Sequence, residues 1–142
     1  MLLTIEKVLI LKSVSIFSSV PEAQLVDLAT IVDSVEYESG EIIIRQGDLG
    51  NSMYIVADGR VRIFDRNHEL SILGNRAVFG ELAALDPEPR AASAEALDDC
   101  TLLRVDGESL YELMSDHKDV TRGIIHVLCD YTRENLSRAG KT

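Results

Sequence analysis

Residues 47–61 read GDLGNSMYIVADGRV, a short apolar run enclosed by two glycine-containing turns. Gly, Asp and Asn favour turns, and a run of this length between them is typical of a strand. The alternation of turn and apolar run extends from about residue 35 to residue 105. It is carried by the runs 41–44, 53–56, 61–64, 70–73, 91–96 and 101–105. Short strands separated by turns at about 8–12-residue spacing predict an antiparallel β-roll of the jelly-roll kind.

Helical patterns flank this β region on both sides. Before it, apolar residues spaced by three and four predict a helix over about 2–12, and Pro21 followed by Glu22 predicts the start of a second. After it, the patterns predict a short helix over 108–114 and a longer one over about 118–138. A further short helix is expected within the β region, over 79–85.

These elements predict one domain over the whole chain, 1–142. Its length suits a single domain, and its 46% hydrophobic content is sufficient for a core. The expected parts are N-terminal helices in 1–34, the β-roll in 35–107 and C-terminal helices in 108–138.

The charge of the chain argues against one class of partner. Asp and Glu number 24 against 14 Lys and Arg, which gives a net charge of −10. A surface of this sign repels a phosphate backbone and an anionic bilayer, so we expect no direct contact with nucleic acid and no membrane insertion. The most apolar stretch, 2–17, is too short to span a bilayer and lacks the features of a signal peptide.

The two cysteines, Cys100 and Cys129, have neither metal-binding nor redox spacing. We interpret both as buried thiols in a reducing, cytoplasmic setting. The chain would act there alone or as the cytosolic domain of a larger protein. In the second case the apolar segment 2–11 would be a junction, and otherwise a dimer surface.

No catalytic or metal site is expected. The three histidines, at 68, 117 and 126, are scattered, and none pairs with another at metal-ligand spacing. Nucleophile elbows, P-loops and dinucleotide fingerprints are also missing from the sequence. We therefore predict that the chain is not an enzyme and uses no cofactor.

The segment most suggestive of binding chemistry is 79–93, which reads FGELAALDPEPRAAS. Gly80 permits close approach of the main chain and precedes a short helix, whose first N–H groups favour an anion. Arg90 follows in a proline-bounded turn, and its planar guanidinium matches two oxygens of a phosphate. Glu81 can accept a hydrogen bond from a sugar hydroxyl. Together these groups suit a compact ligand with one phosphate and one ribose.

This segment resembles the phosphate-binding cassette of cyclic nucleotide-binding domains. The family pattern is roughly F-G-E-L-A-L-[aliphatic]-x-x-x-P-R-A-A-[ST], and the spacing from Glu81 to Arg90 is preserved. The stretch 47–61 resembles a second signature of the same family, G-D-x-G-[DN]-x-x-[YF]-I-x-x-x-G-x-[aliphatic]. The flanking helices fit the family as well, so the resemblance covers most of the chain.

The resemblance implies a role for each residue of the cassette. Arg90 would bind the exocyclic oxygens of the cyclic phosphate, and Glu81 would bind the ribose 2′-hydroxyl. The remaining backbone and wall contacts would come from Gly80, Leu82, Ala83, Ala91, Ala92 and Ser93. In some relatives a hydroxyl at the position of Ala91 favours guanine, so cAMP is expected in preference to cGMP.

The resemblance also implies a cap over the base from the C-terminal helix or from a neighbouring chain. The candidates for this cap are Tyr131, Thr132 and Arg133. Closure of that helix would use a hinge near 108–116. An effector domain or a second copy is an expected partner through the terminal helices. Two other interpretations stay open: a sensor of another small anion, and a ligand-free interaction module.

Two residues depart from the family pattern. Ala84 replaces a larger aliphatic residue under the short helix, and Arg76 occupies a loop position that is often glycine. The glycines of the first signature, Gly47, Gly50 and Gly59, are interpreted as turn formers rather than as ligand-binding residues.

Overall fold

The computed structural model describes residues 2–140, which form five helices and ten strands. The helices are α1 (Thr4–Lys12), α2 (Glu22–Ile31), α3 (Glu81–Leu85), α4 (Gly107–Asp116) and α5 (Lys118–Arg138). The strands are β1 (Asp33–Tyr37), β2 (Ile42–Ile44), β3 (Leu49–Gly50), β4 (Ser52–Asp58), β5 (Val61–Asp65), β6 (His68–Leu73), β7 (Val78–Phe79), β8 (Glu88–Pro89), β9 (Ser93–Ala96) and β10 (Cys100–Asp106).

The strands pair into two four-stranded antiparallel sheets. Their orders are β1-β10-β4-β7 and β2-β9-β5-β6, and β3 pairs with β8 separately. The predicted antiparallel β-roll with flanking helices is therefore confirmed. All five predicted helices are present, and α2 begins at Glu22, directly after Pro21.

Strand β4 lies between two hydrophobic cores, which explains its almost unbroken apolar sequence. Met53 and Ile55 pack against the helices, whereas Tyr54 and Val56 pack between the two sheets. Successive side chains of a strand point to opposite faces, so a strand covered on both faces is apolar at every position. The sheet containing β4 thus joins the helical layer to the second sheet.

The helix predicted over about 118–138 is confirmed as α5, and Val120 and Ile124 near its start are buried in the helical layer. In α1 the helix is confirmed, but its buried face consists of Val8, Ile10 and Leu11. Ile5 and Leu9, which belong to the three-and-four spacing in the sequence, are exposed.

Some details of the sequence-based prediction are wrong. Cys100 is buried as expected, but Cys129 is exposed on α5. The run 91–96 is a strand only over β9, because the chain bends before Ser93. Within the part of the chain that the structure covers, no helix has the length and apolar character needed to cross a bilayer.

Candidate functional site

The two sequence signatures lie against each other. Strand β3, from the glycine-rich signature, pairs with β8, from the cassette, so that Gly50 lies opposite Glu88. The main chain of Arg90 continues this pairing: its N–H donates to the carbonyl of Asp48 at 2.8 Å, and its carbonyl accepts from the N–H of Gly47 at 2.9 Å. The first signature therefore fixes the main chain that carries Arg90.

The other half of the cassette is fixed by β7 and α3. The ring of Phe79 stacks on that of Tyr54, with ring centroids 5.2 Å apart and planes inclined by 14°. Gly80 follows with a φ of 79°, in the left-handed region, and forms the N-terminal cap of α3. A residue with a Cβ is strained in that conformation, so glycine is needed at the point where the chain turns from strand to helix.

The side chain of Arg90 reaches back between the two signatures. Its Nη2 donates to the carbonyl oxygen of Ser52 at 2.8 Å, and its Nη1 lies 3.5 Å from the carbonyl oxygen of Gly80. Among residues 2–140 no carboxylate forms an ion pair with it within 4.0 Å. Burial lowers the pKa of Arg90, because desolvation disfavours its charged form. The guanidinium is therefore partly desolvated, and no carboxylate of the described residues neutralises its charge.

Arg90 and Glu81 line one cavity of about 690 Å³ between α3 and the second sheet. All the predicted cassette contacts line it: Gly80, Glu81, Leu82, Ala83, Arg90, Ala91, Ala92 and Ser93. The structure therefore brings together the residues that the sequence selects between 79 and 93. Further walls come from residues that sequence analysis missed, including Ile63 and Ser71 of the second sheet and Leu128 of α5.

One of the three predicted cap residues, Tyr131, contacts a residue of this cavity from the C-terminal helix, although it does not line the cavity itself. The hydroxyl of Tyr131 donates a hydrogen bond to Oε1 of Glu81. Thr132 instead bonds the carbonyl of Leu128 within α5, and Arg133 pairs with Asp130 on the exposed face of the helix. The structure does not bring Thr132 or Arg133 to the cavity.

Helix α4 holds the other end of α3. The hydroxyl of Tyr111 donates to the carbonyl of Leu85, the last residue of α3. Gly107, at the start of α4, donates its N–H to the carbonyl of Asn51 at 2.8 Å. Helices α4 and α5 therefore hold α3 at both ends. They meet at His117, which ends the first and precedes the second.

The two residues that depart from the family pattern lie in a turn (Arg76) and in α3 (Ala84). Arg76 adopts a φ of 73°, the left-handed conformation that glycine takes most readily. Ala84 is buried in the helical core. Gly47 and Gly59 have positive φ, as turn formers should. For Gly50 that interpretation is wrong, because it lies in β3 and outside the left-handed region.

The described residues contain no group of side chains suited to bind a metal ion. Over residues 2–140, His, Cys, Asp and Glu form no cluster of three or more that is suited to an ion. The cavity lining combines the Arg90 cation with the carboxylates of Glu81, Asp86 and Glu88 and with apolar walls.

Comparison with known proteins agrees with this geometry. The family described as the cyclic nucleotide-binding domain matches residues 34–117. The chain belongs to that family, and the matched range includes both signatures.

Two curated relatives and one solved structure illustrate the similarity. The chain is 38% identical over 104 residues to the cyclic AMP receptor protein of Thermus thermophilus, covering 69% of this chain and 48% of the relative. It is 27% identical over 124 residues to the CRP-like cAMP-activated global transcriptional regulator of Mycobacterium tuberculosis, covering 84% and 55%. The crystal structure of the Thermus thermophilus catabolite activator protein superposes with a TM-score of 0.78 at 32% identity, covering 89% and 62%.

This chain thus spans about half the length of these curated relatives. One of them is a transcriptional regulator by its name. The expectation that this chain itself contacts no nucleic acid therefore rests on its charge alone and stays a prediction.

Proposed function

We propose that this chain is a sensor domain that binds a cyclic nucleotide monophosphate and catalyses no reaction on it. The observation that carries the proposal is the Arg90 guanidinium, which lines the cavity without a carboxylate partner among residues 2–140. A cyclic phosphate supplies one negative charge and two exocyclic oxygens for the planar donor. In a chain with a net charge of −10, only a local contact of this kind attracts an anion.

The rest of the ligand fits the other groups around the cavity. Glu81 accepts the ribose 2′-hydroxyl, and the small side chains of Ala91 and Ala92 leave their main chain accessible. A volume of about 690 Å³ is within the range of about 300–1,000 Å³ that is usual for small-molecule sites. The base then lies toward Leu128 on α5, which supplies an apolar wall.

We expect cAMP to bind more tightly than cGMP. Ala91 carries no hydroxyl to donate to guanine, and the preference rests on this missing hydroxyl alone.

Helix α3 is the element through which binding is sensed. Tyr131 holds its first residue and Tyr111 its last, so a displacement of α3 by the ligand must also move α4 and α5. A coupling free energy of about 1–3 kcal/mol is usual for such linkage. Hydrogen exchange of α5 amides with and without saturating cAMP measures this coupling. Unchanged protection in α5 contradicts it.

The decisive experiment is titration calorimetry with cAMP and with cGMP on the wild type and on Arg90→Ala. We expect binding to the wild type, and at least about tenfold weaker binding to the variant, because hydrogen bonds to a charged group are lost. Arg45→Ala is the matched control, because it removes an exposed arginine that does not line the cavity.

The other two interpretations predict different results. A sensor of another small anion would bind 5′-AMP or inorganic phosphate through Arg90 and ignore both cyclic nucleotides. A ligand-free module would bind none of the four. Binding of cAMP that is unaffected by Arg90→Ala would locate the ligand elsewhere on the chain.

A further inference from the structure

Gly50 lies directly beneath the side chain of Arg90. It is buried in β3, and its backbone does not require glycine. A Cβ placed on Gly50 would overlap Nε and Cζ of Arg90 and would lie 2.6 Å from Cδ. The reason for glycine at this position is therefore a neighbouring side chain, not the conformation of its own main chain.

Main-chain carbonyls hold the guanidinium at two of its nitrogens. Nη2 donates to the carbonyl of Ser52, and Nη1 lies near the carbonyl of Gly80. A Cβ on Gly80 would approach Nη1 to 2.8 Å. The guanidinium has five N–H donors, so two contacts to carbonyls leave three for a ligand.

We propose that Gly50 is a positioning residue for the ligand phosphate, an inference that rests on the proposed function. The flat surface of Gly50, together with the carbonyls of Ser52 and Gly80, sets the plane of the Arg90 guanidinium before any ligand arrives. Because no carboxylate among residues 2–140 holds the guanidinium, an incoming phosphate displaces no ion pair. The surface of Gly50 and the neutral carbonyl acceptors therefore orient the guanidinium, and its positive charge is left to pair with the ligand phosphate.

Gly50→Ala tests this idea more cleanly than a change at Gly80. At Gly80 an added Cβ would also lie 3.0 Å from the carbonyl oxygen of Ser52, and the φ of 79° strains any side chain. At Gly50 the three nearest atoms all belong to the flexible end of one side chain. The fold can therefore accept the methyl group by moving Arg90, which is the displacement that the test requires.

The experiment is cAMP titration calorimetry on wild type, Gly50→Ala and Gly74→Ala. Gly74 is the matched control, since a Cβ there meets nothing within 4 Å and its φ is not positive. We expect about ten- to a hundredfold weaker binding for Gly50→Ala, from the lost charge-assisted hydrogen bonds, and unchanged binding for Gly74→Ala.

A thermal unfolding cycle provides a second measurement that needs no ligand. Gly50→Ala should lower the melting temperature in the wild type, and should lower it less in the Arg90→Ala background, where the crowded atoms are gone. Gly50→Ala that binds cAMP as tightly as the wild type overturns the positioning role, as does an equal melting shift in both backgrounds. A wild type that binds neither cAMP nor cGMP overturns the proposed function instead, and this inference with it.

Discussion

The hydroxyl of Tyr131 donates a hydrogen bond to Oε1 of Glu81, which joins the last helix to the first residue of α3. Burial raises the pKa of Tyr131, and the neighbouring carboxylate raises it further, so the phenol stays protonated and remains a donor. A carboxylate has two oxygens, and this contact leaves Oε2 for a ribose hydroxyl. The contact therefore orients the proposed ribose acceptor, and it connects that acceptor to a helix 50 residues away along the chain.

Tyr131→Phe should weaken cAMP binding by roughly tenfold. The variant retains the ring but removes the hydrogen bond to a charged acceptor, which is worth about 1.5 kcal/mol or more. Calorimetry measures the change. Thr132→Val is the matched control on the same helix, since the Thr132 hydroxyl bonds the carbonyl of Leu128 within α5. Tighter binding by Tyr131→Phe would show that the tyrosine competes with the ribose instead of orienting Glu81.

Arg76→Gly should leave stability unchanged or raise it slightly. A φ of 73° strains a residue with a Cβ by about 1–2 kcal/mol, and glycine relieves this strain. The relief roughly offsets the conformational entropy that glycine adds to the unfolded chain. The loop is held by its main chain, because the N–H of Arg76 donates to the carbonyl of Val56 at 2.8 Å. Urea unfolding measures the free energy of each variant.

Two further substitutions isolate the conformational cause. Arg76→Val should destabilise, because β-branched residues tolerate the left-handed region worst. Arg45→Gly removes an exposed arginine whose φ is not positive, and should destabilise as well. A loss of stability in Arg76→Gly equal to that in Arg45→Gly would contradict the explanation.

Sequence patterns predicted those parts of the structure that are encoded locally. The apolar runs became strands β2, β4, β5, β6 and β10, and 79–85 contains α3, because turn residues and apolar spacing act over a few residues. The presence of Glu81 and Arg90 in one cavity was predicted from the resemblance to the family, because the spacing of the two residues does not by itself predict that they lie close together.

What sequence analysis missed depends on contacts between distant segments. Strand β1 is largely polar and forms because β10 supplies its hydrogen bonds. Strands β3 and β8 have two residues each, and β8 contains Pro89, so neither carries a strand pattern of its own. The role of Gly50 is set by Arg90, 40 residues later, and no local rule distinguishes it from the turn glycines beside it.

The unfolding free energy should fall at alkaline pH through Cys100. Burial raises the pKa of this thiol above its ordinary value, and its Sγ lies 3.2 Å from the carbonyl oxygens of Arg60 and Asp98, which can accept only from the protonated thiol. The folded pKa then exceeds the unfolded one, so the contribution is complete below the unfolded value of about 8.5 and is lost as pH rises through the folded value.

Comparison of Cys100→Ala with the wild type isolates this contribution. The difference in unfolding free energy between them should be constant from about pH 6 to 8 and should shrink above that range. Cys129→Ser is the control, because Cys129 is exposed on α5. A difference that stays constant up to pH 10 would show that Cys100 does not titrate differently in the two states.

Gly123→Ala should destabilise the protein, although glycine within a helix usually costs stability. In an isolated helix the change would gain about 1 kcal/mol. Here Gly123 is buried in α5, and an added Cβ would overlap the carbonyl oxygen of Ile16 and lie 3.3 Å from its carbonyl carbon. Those are main-chain atoms of a packed segment, so the helix must shift, at a cost of about 1–3 kcal/mol. Urea unfolding of Gly123→Ala, with Gly74→Ala as the control, shows whether the substitution lowers or raises the free energy of unfolding. If Gly123→Ala were the more stable protein, α5 would not be held against Ile16.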